Sequence, residues 1–261
     1  MIDGHMHLEN GPLTKEYVYE FINEAKKKGL TTIQILDHTH RFVEFKPIYE
    51  NLRTYEVQDL WLQGKTKFCN SVHEFIDLMK DIQREDHGIE VLYGLEVCYA
   101  PEYETFLRKT LAPLELDFVV GAIHSIDGIL YDMNFSKELL WNVQDVNSIY
   151  QRYYELVMQL VRSALFTQLA HPDQLKLFNY YPTYDLQETY NELAKALVEH
   201  HVKAENNTGI HYRYHHEDIG DNKQLLQTFK TYGVSMITAS DAHQPSHVGT
   251  DIDKIEKETM A

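Results

Sequence analysis

Seven short apolar runs recur along the chain, and each leads into a histidine or a carboxylate. Stretches of helical spacing separate the runs, so strand and helix patterns alternate. Strands that alternate with helices pair in parallel through right-handed crossovers, which predicts an α/β fold. The residues at the ends of the runs are His5-Met6-His7, Asp37-His38-Thr39-His40, Glu96, His124, His171, Glu205 and Asp241-Ala242-His243.

The alternation predicts seven strands and six helices. The strands are expected at 1–5, 31–36, 89–95, 116–123, 166–170, 202–206 and 234–239. The helices, which carry apolar residues at helical spacing, are expected at 14–28, 71–84, 103–111, 146–165, 186–200 and 223–232. Seven parallel strands joined by helices fit a barrel of the TIM-barrel type, here a (β/α)7 barrel.

Residues 1–261 are expected to form a single domain. A chain of 261 residues fits one α/β barrel or two smaller domains, but no linker, low-complexity tract or internal repeat divides it. The stretches 40–70 and 127–145 are predicted to be long loops. Loops of that length in a compact domain are often lids or binding loops, so we expect both to lie over the active-site end.

The composition argues against several classes of partner. The formal net charge is -16, whereas nucleic acids and anionic membranes are bound by clustered Lys and Arg. Two or three bound divalent cations would offset about four to six of these charges. The only two cysteines, Cys69 and Cys98, do not make a disulfide scaffold. Because no secretory signal pattern begins the sequence, a reducing, cytoplasmic location is expected.

The residues at the strand ends are of the types that bind divalent metals. Side chains alternate faces along a strand, so His5 and His7 point the same way, and Asp241 and His243 repeat this spacing at the last strand. In an α/β barrel the carboxyl ends of all strands meet at one face. The sequence therefore predicts a metal site at that face, formed by His5, His7, His38, Glu96, His124, His171, Asp241 and His243.

Single members of this set have simpler explanations. His124 and His171 could each be a hydrogen-bonded core histidine, and a lone His-x-His pair often arises by chance. Eight such residues at matching strand ends favour metal binding. Mixed imidazole and carboxylate ligands without Cys suit Zn, Mn or Fe(II). Eight side chains fit two or three ions, with Glu96 as a bridge, and predict hydrolysis by a metal-bridged hydroxide, most naturally at phosphorus.

The ordered set of motifs resembles the polymerase and histidinol phosphatase (PHP) superfamily. The matching segments are Asp3-Gly4-His5-Met6-His7, Leu36-Asp37-His38-Thr39-His40, Gly94-Leu95-Glu96, Gly121-Ala122-Ile123-His124-Ser125, Ala170-His171-Pro172-Asp173 and Ser240-Asp241-Ala242-His243. The resemblance implies a distorted seven-stranded barrel, up to three metal ions and hydrolysis of phosphomonoesters. For a chain of this length it implies a small-molecule substrate, L-histidinol phosphate.

The resemblance also implies a division of the ligands among three ions. His5, His7 and Asp241 would hold the first together with Glu96; His124 and His171 would hold the second with Glu96; His38 and His243 would hold the third. The family usually has a further His or acid about six residues after the opening pair, where this chain has Leu13. Glu9 or Glu16 could substitute, although neither occupies the matched position.

The remaining site residues concern substrate binding and proton transfer. The resemblance implies a phosphate-binding basic residue after the sixth strand, for which Arg213 is the candidate. Arg41 is a second candidate, since a guanidinium fork matches phosphate oxygens, and His40 is expected to contact substrate. Asp241 or a metal-bound water is expected to give a proton to the leaving alkoxide. The histidines at 211, 215 and 216 are interpreted as loop residues.

Two alternative functions remain open at this stage. Another phosphate ester, such as a nucleotide, a sugar phosphate or a phosphodiester, could be the substrate, because substrate choice depends on the long loops. The chain could also be a metal-binding, non-catalytic regulatory module that acts through a partner. A complete ligand set favours an enzyme over the second alternative.

Overall fold

The computed structural model describes residues 1–259. Strands and helices alternate in the order predicted. In chain order they are β1 (Ile2–His7), α1 (Lys15–Lys27), β2 (Thr32–Leu36), α2 (Glu56–Leu62), α3 (Val72–Gln83), β3 (Glu90–Cys98), α4 (Glu104–Leu111), β4 (Phe118–Ala122), β5 (Ser125–Ile126), β6 (Ile129–Leu130), α5 (Val146–Arg162), β7 (Gln168–Leu169), α6 (Gln187–Glu199), β8 (Lys203–Asn207), α7 (Gly209–Tyr214), α8 (Lys223–Tyr232), β9 (Met236–Ala239) and α9 (Ile252–Thr259).

Seven parallel strands form the central sheet, in the order β1-β2-β3-β4-β7-β8-β9. The first and last strands approach each other, where a parallel bridge joins Met6 to Ala242 and the His7 amide donates to the Ala242 carbonyl at 2.7 Å. The sheet is therefore a nearly closed barrel with helices around it. This confirms the predicted α/β barrel of seven strands.

The predicted helices begin and end near the capping residues in the sequence. Thr14 caps α1 by accepting a hydrogen bond from the Tyr17 amide, and Ser71 and Glu74 form a reciprocal capping box at the start of α3. Gly233 ends α8 with φ of 72°, a left-handed conformation that glycine adopts without a steric penalty. Buried apolar residues of α1, α3, α4, α5, α6 and α8 belong to one hydrophobic core together with residues of the strands.

The stretch 40–70 differs from the prediction of a loop. It contains a long 3₁₀ helix, Val43–Thr54, followed by α2. A 3₁₀ helix repeats every 3.0 residues rather than 3.6, so its apolar positions do not give the expected helical pattern. Phe45, Ile48 and Leu52 from this helix are buried. The stretch is therefore a packed part of the fold and not an open loop.

The stretch 127–145 is also partly ordered into regular structure. The short strands β5 and β6 form an antiparallel hairpin, and Lys137–Trp141 forms one π-helical turn. The stretches 40–70 and 127–145 are called the two excursions from the barrel. Buried Gln58 of α2 links them, because it donates to the Gly128 carbonyl at 3.0 Å and accepts from the Leu130 amide at 2.8 Å. The helices α7 and α9 were likewise absent from the sequence prediction.

Within residues 1–259, no helix is long and apolar enough to cross a lipid bilayer. The longest helix, α5, has 17 residues and is amphipathic, with Tyr153, Val157 and Leu160 buried.

Candidate active site

Histidines and carboxylates converge at the carboxyl ends of the barrel strands. Glu96, near the end of β3, lies at the centre of this group and is 1 % exposed. Its side chain is approached by five imidazoles from four different strand ends. The eight predicted ligand residues all take part: His5, His7, His38, Glu96, His124, His171, Asp241 and His243.

Two residues of the group have a positive φ angle, a backbone conformation that residues other than glycine rarely adopt. His171 has φ of 26° and Asp241 has φ of 53°, each costing about 1–3 kcal/mol relative to a relaxed conformation. Gly209 lies against the second of them. A Cβ atom at Gly209 would lie 2.9 Å from Asp241 Cβ and 3.0 Å from Arg213 Nη2, so only glycine allows this close approach.

The first group is formed by β1 and the segment after β9. His5 Nε2 and His7 Nε2 lie 2.8 Å apart. Asp241 Oδ1 lies 3.2 Å from His7 Nε2 and 3.7 Å from His5 Nε2. Two imidazole nitrogens at this separation can share at most one proton, so the arrangement favours a cation that accepts both lone pairs.

The second group surrounds the Glu96 carboxylate. Its Oε1 lies 3.1 Å from His124 Nε2 and 3.0 Å from His171 Nε2. Its Oε2 lies 2.5 Å from His38 Nδ1 and 3.6 Å from His7 Nε2. Glu96 thus presents one oxygen to each side, which is the geometry that a bridging carboxylate requires.

The third group contains Glu9. The sequence prediction considered this residue only as a possible substitute for the ligand that is absent at Leu13. Glu9 Oε1 lies 3.3 Å from His243 Nε2 and 3.9 Å from His38 Nε2, and its Oε2 lies 3.7 Å from His40 Nε2. Leu13 instead packs against the core, and Glu16 is exposed on the first turn of α1. Glu9 therefore supplies the carboxylate that the Leu13 position lacks.

The expected division of ligands changes at three residues: Glu9 joins a set, His40 joins it although it was expected to contact substrate, and His38 belongs to more than one set. Donor atoms that lie within 4.8 Å of one another form four sets: His5-His7-Asp241, His38-Glu96-His124, Glu9-His38-His40 and His7-His38-His243. The sequence prediction placed His38 only in the third set. In the structure its Nδ1 faces Glu96 and its Nε2 faces Glu9, so the second and third groups meet at this residue.

The donors fit divalent cations by their chemistry as well as their spacing. Buried Glu96 Oε2 accepts no well-aligned hydrogen bond among residues 1–259, although His38 Nδ1 lies 2.5 Å away. A buried carboxylate oxygen without a well-placed partner is costly. Imidazole nitrogens and carboxylate oxygens without sulfur are the ligands of Zn, Mn or Fe(II) sites. A cation at these sets would satisfy the facing nitrogens and the Glu96 oxygen together.

The pKa shifts of Glu96 and His7 both favour the protonation states that bind metals. Burial alone would raise the pKa of Glu96, but His38, His124 and His5 outweigh it and hold that pKa well below the usual range. Burial lowers the pKa of His7 well below that of a free imidazole, with His38 and His243 adding to the shift. An ionised carboxylate and a neutral imidazole are the forms that bind metals.

Further residues orient the ligands from outside. Glu205, in the middle of β8, accepts a hydrogen bond from His5 Nδ1 at 2.8 Å and from the His171 amide at 3.2 Å. Asp132 Oδ2 accepts from His124 Nδ1 at 2.9 Å. A carboxylate behind a ligating histidine fixes its tautomer and ring orientation. The sequence placed Glu205 at a strand end, whereas Asp132 carried no signal because it lies in an excursion.

A cavity of about 280 Å³ opens above the three groups. Its wall includes Glu96, His124, His171, Asp241 and His243. The predicted substrate residues Arg213 and His40 also line it. Arg213 Nη2 pairs with Asp241 Oδ2, and its Nη1 lies 2.7 Å from His243 Nδ1. This places a guanidinium at the edge of the first and third groups.

The structure does not bring Arg41 to the cavity, so the expectation that it binds substrate is corrected. Arg41 is 4 % exposed. Its Nη1 donates to Asp37 Oδ2 and to the Leu8 carbonyl, both at 2.8 Å. Its remaining nitrogens donate to the Gly11 carbonyl and to Asn70 at 3.0 Å. Every nitrogen of the guanidinium is thus engaged inside the fold, which makes Arg41 a structural residue.

Lys67 provides the cation that the sequence analysis did not find. Its Nζ lies 3.0 Å from His40 Nε2 and 4.3 Å from the centre of the Trp61 ring. The next residue, Phe68, has φ of 49° and donates its amide to the His40 carbonyl at 2.7 Å. The backbone thereby holds Lys67 against the cavity. No sequence motif surrounds it, so only the folded excursion reveals its position.

The family is established by comparison with known proteins. The model of the PHP domain matches residues 3–209. The chain belongs to the PHP domain family. A Deinococcus radiodurans protein named a probable histidinol-phosphatase is 29% identical over 178 residues, which is 67% of this chain and 66%, just under two thirds, of that protein. A Schizosaccharomyces pombe protein of the same name is 23% identical over 249 residues, 88% of this chain and 76% of its own length.

Solved structures of similar proteins share the fold. The histidinol phosphate phosphatase of Lactococcus lactis subsp. lactis, crystallised with zinc, L-histidinol and phosphate, aligns with a TM-score of 0.73 and 17% identity over 99% of this chain and 92% of its own. A Listeria monocytogenes protein aligns with a TM-score of 0.81 and 16% identity over 97% of this chain and 99% of its own. At these identities, the two structures establish the PHP barrel.

Proposed function

We propose that this PHP protein is a metal-dependent phosphomonoesterase that hydrolyses L-histidinol phosphate to L-histidinol and phosphate. The observation that carries the proposal is the buried Glu96 carboxylate, which faces five imidazoles at the base of an open cavity. Relatives named as probable histidinol-phosphatases support the substrate. A similar fold has been solved with zinc, L-histidinol and phosphate together.

Two or three divalent ions, Zn, Mn or Fe, would be held by the three groups. The first ion would be held by His5, His7 and Asp241 together with Glu96. The second would be shared by Glu96, His124, His171 and the Nδ1 side of His38. The third would be held by Glu9, His40, His243 and the Nε2 side of His38. When bound, such ions lower the pKa of a water to about 7 and neutralise charge on phosphate oxygens.

The phosphate would be oriented by two cations of the protein. Arg213 and Lys67 both line the cavity, Arg213 beside His243 and Lys67 beside His40. A guanidinium matches two phosphate oxygens at once, and an ammonium acts as a point charge. Their combined field attracts an anionic ester to the cavity although the whole protein carries a formal charge of -16.

Proton transfer is assigned to Asp241. Burial alone would raise the pKa of this carboxyl, but Arg213 and His243 hold it well below the usual range, so the group is ionised. Its Oδ2 is engaged by Arg213, and its Oδ1 faces His7 in the first group. The carboxylate would take a proton from the attacking water beside that group and return it to the alkoxide that leaves phosphorus.

A panel of phosphate esters tests the proposal. The purified protein is loaded with Zn or Mn, and released phosphate is measured for L-histidinol phosphate, a nucleotide, a sugar phosphate and a phosphodiester. We expect kcat/KM for L-histidinol phosphate to exceed the others by at least about 100-fold, because matching polar contacts discriminate strongly. Equal turnover of all esters would indicate a phosphoesterase without specificity for L-histidinol phosphate. A fully metal-loaded but inactive protein would favour a non-catalytic regulatory module.

A further inference from the structure

The cavity has a polar asymmetry that the phosphate-binding residues do not explain. Three imidazoles lie in a row across its base: the ring centres of His40 and His38 are 4.6 Å apart, and those of His38 and His124 are 5.7 Å apart. Lys67 Nζ lies 3.0 Å from the ring at one end of the row. Asp132 Oδ2 lies 2.9 Å from the ring at the other end. A positive side chain therefore contacts one outer imidazole of the three, and a negative side chain contacts the other.

The Asp132 carboxylate can accept a further hydrogen bond from a ligand in the cavity. The side chain lines the cavity wall and is 14% exposed. Within residues 1–259, its only hydrogen bond is the one from His124 to Oδ2, and no Lys or Arg nitrogen lies within 4.0 Å of it. Its Oδ1 accepts no hydrogen bond from these residues, and it is not fully buried. Oδ1 is therefore accessible from the cavity and free to accept.

The surroundings of Asp132 suit an organic cation rather than another metal ion. Leu130, Met133 and Tyr214 line the cavity beside it, and Asp132 belongs to none of the sets of converging metal donors. A single carboxylate oxygen next to apolar side chains matches an alkylammonium group, which combines a charge with hydrocarbon. Phosphate would be repelled from this end and attracted to the end that carries Lys67.

We propose that Asp132 is a specificity-determining residue that binds a cationic amine on the organic part of the substrate. The inference rests on the proposed function, in which the ester has a phosphate at one end and an aminoalkyl group at the other. Lys67 and Asp132 then fix the direction of the bound ester. Asp132 would also keep its contact with His124, so it links recognition of the amine to the orientation of a metal ligand.

Direct binding tests this inference with two alcohols that differ only in the amine. The binding of L-histidinol and of 3-(imidazol-4-yl)propan-1-ol to the zinc-loaded protein is measured by calorimetry. We expect the wild type to bind L-histidinol about 10- to 100-fold more tightly, because hydrogen bonds to charged groups contribute this much. Asp132→Asn should bind both alcohols with the weaker affinity. Its amide oxygen can still accept from His124, so zinc content should remain unchanged.

Glu138→Gln is the matched control, since it removes one negative charge from the same excursion at an exposed position outside the cavity. It should keep the preference for the amine. Three results would overturn the inference: no preference in the wild type, a preference that survives in Asp132→Asn, or an equal loss of both alcohols in that variant, which would indicate that Asp132 only orients His124.

Turnover of L-histidinol phosphate is measured in parallel to separate the two proposals. A wild type that hydrolyses this ester without preferring the amine overturns the role of Asp132 and leaves the proposed function standing. A wild type that prefers L-histidinol through Asp132, but does not release phosphate from the ester, supports the role of Asp132 and overturns the proposed function.

Discussion

Glu96 is the residue on which we expect metal binding to depend. One of its oxygens faces His124 and His171, and the other faces His38 and His7. We expect Glu96→Gln to lower turnover at least about 100-fold and to reduce bound metal, because an amide is a poor bridging ligand. Metal content by mass spectrometry and phosphate release check this together. Normal activity at normal metal content would contradict the bridging role.

Glu9 is expected to hold the third ion in place of a ligand at the Leu13 position. Its carboxylate lies within 4.0 Å of His38, His40 and His243. Glu9→Gln should therefore lose about one ion per chain of the two or three bound, since one carboxylate of a group of four ligands is removed. Glu16→Gln is the matched control, because Glu16 is exposed on α1. The same metal content in both variants would rule out this assignment.

Arg41 and Lys67 should respond to substitution in opposite ways. Arg41→Met breaks a buried pair with Asp37, a carboxyl whose pKa burial raises to about 7, and should cost about 3–5 kcal/mol of unfolding free energy. Lys67→Met should leave stability nearly unchanged and raise KM about tenfold, since it removes a phosphate contact. Urea unfolding and steady-state kinetics distinguish the two. A raised KM with unchanged stability in Arg41→Met would restore the original expectation for Arg41.

At the level of elements, the two excursions form one wall of the cavity because they are bonded to each other. Gln58 is fully buried and connects the Leu52 and Gly128 carbonyls with the Leu130 amide. Trp61 and Lys67 come from one excursion, and Asp132 comes from the other. The relative position of Lys67 and Asp132 in the cavity wall is therefore expected to depend in part on the Gln58 side chain.

Gln58→Met tests this connection. The substitution leaves three buried backbone groups without partners and should lower unfolding free energy by about 1–3 kcal/mol. We expect faster hydrogen exchange at the Leu130 amide and a raised KM, with metal content unchanged. Gln63→Met is the control, because Gln63 is exposed and bonds only within α2 and the turn that follows it. Unchanged exchange at Leu130 would show that the excursions are held by other contacts.

The elements that the sequence predicted well are those with a regular period and a clear cap. Helices α3 and α8 begin and end within one residue of prediction, because Ser71 and Gly233 mark their ends. The 3₁₀ helix Val43–Thr54 and the hairpin of β5 and β6 were missed. Neither has the 3.6-residue or extended two-residue period that makes an element visible in a sequence.

For the whole molecule, folding and metal binding are expected to be linked. The three groups place carboxylates and imidazoles from both ends of the chain in one buried cluster. An ion that binds only the folded state at 1,000 times its Kd adds about 4 kcal/mol of stability. Removing metal with EDTA should therefore lower Tm by on the order of 10 °C, at about 2–4 °C per kcal/mol.

Differential scanning calorimetry with added Zn or Mn checks this linkage. The Tm of the stripped protein should rise with metal concentration, and Glu96→Gln should show a smaller rise because its groups bind less tightly. An EDTA-treated wild type with the same Tm as the metal-loaded protein would contradict the linkage between metal binding and stability.

The sequence was sufficient to predict the seven-stranded α/β barrel, and it predicted eight residues that the structure brings together at one end of it. It could do so because strand and helix periods are local, and because the carboxyl ends of parallel strands share one face whatever the loops do. The packing of the irregular segments shows what the sequence did not: Glu9 lies beside His38, His40 and His243, Arg41 is buried, and Lys67 and Asp132 line the cavity. These positions depend on how irregular segments pack against the barrel, and no local period encodes that packing.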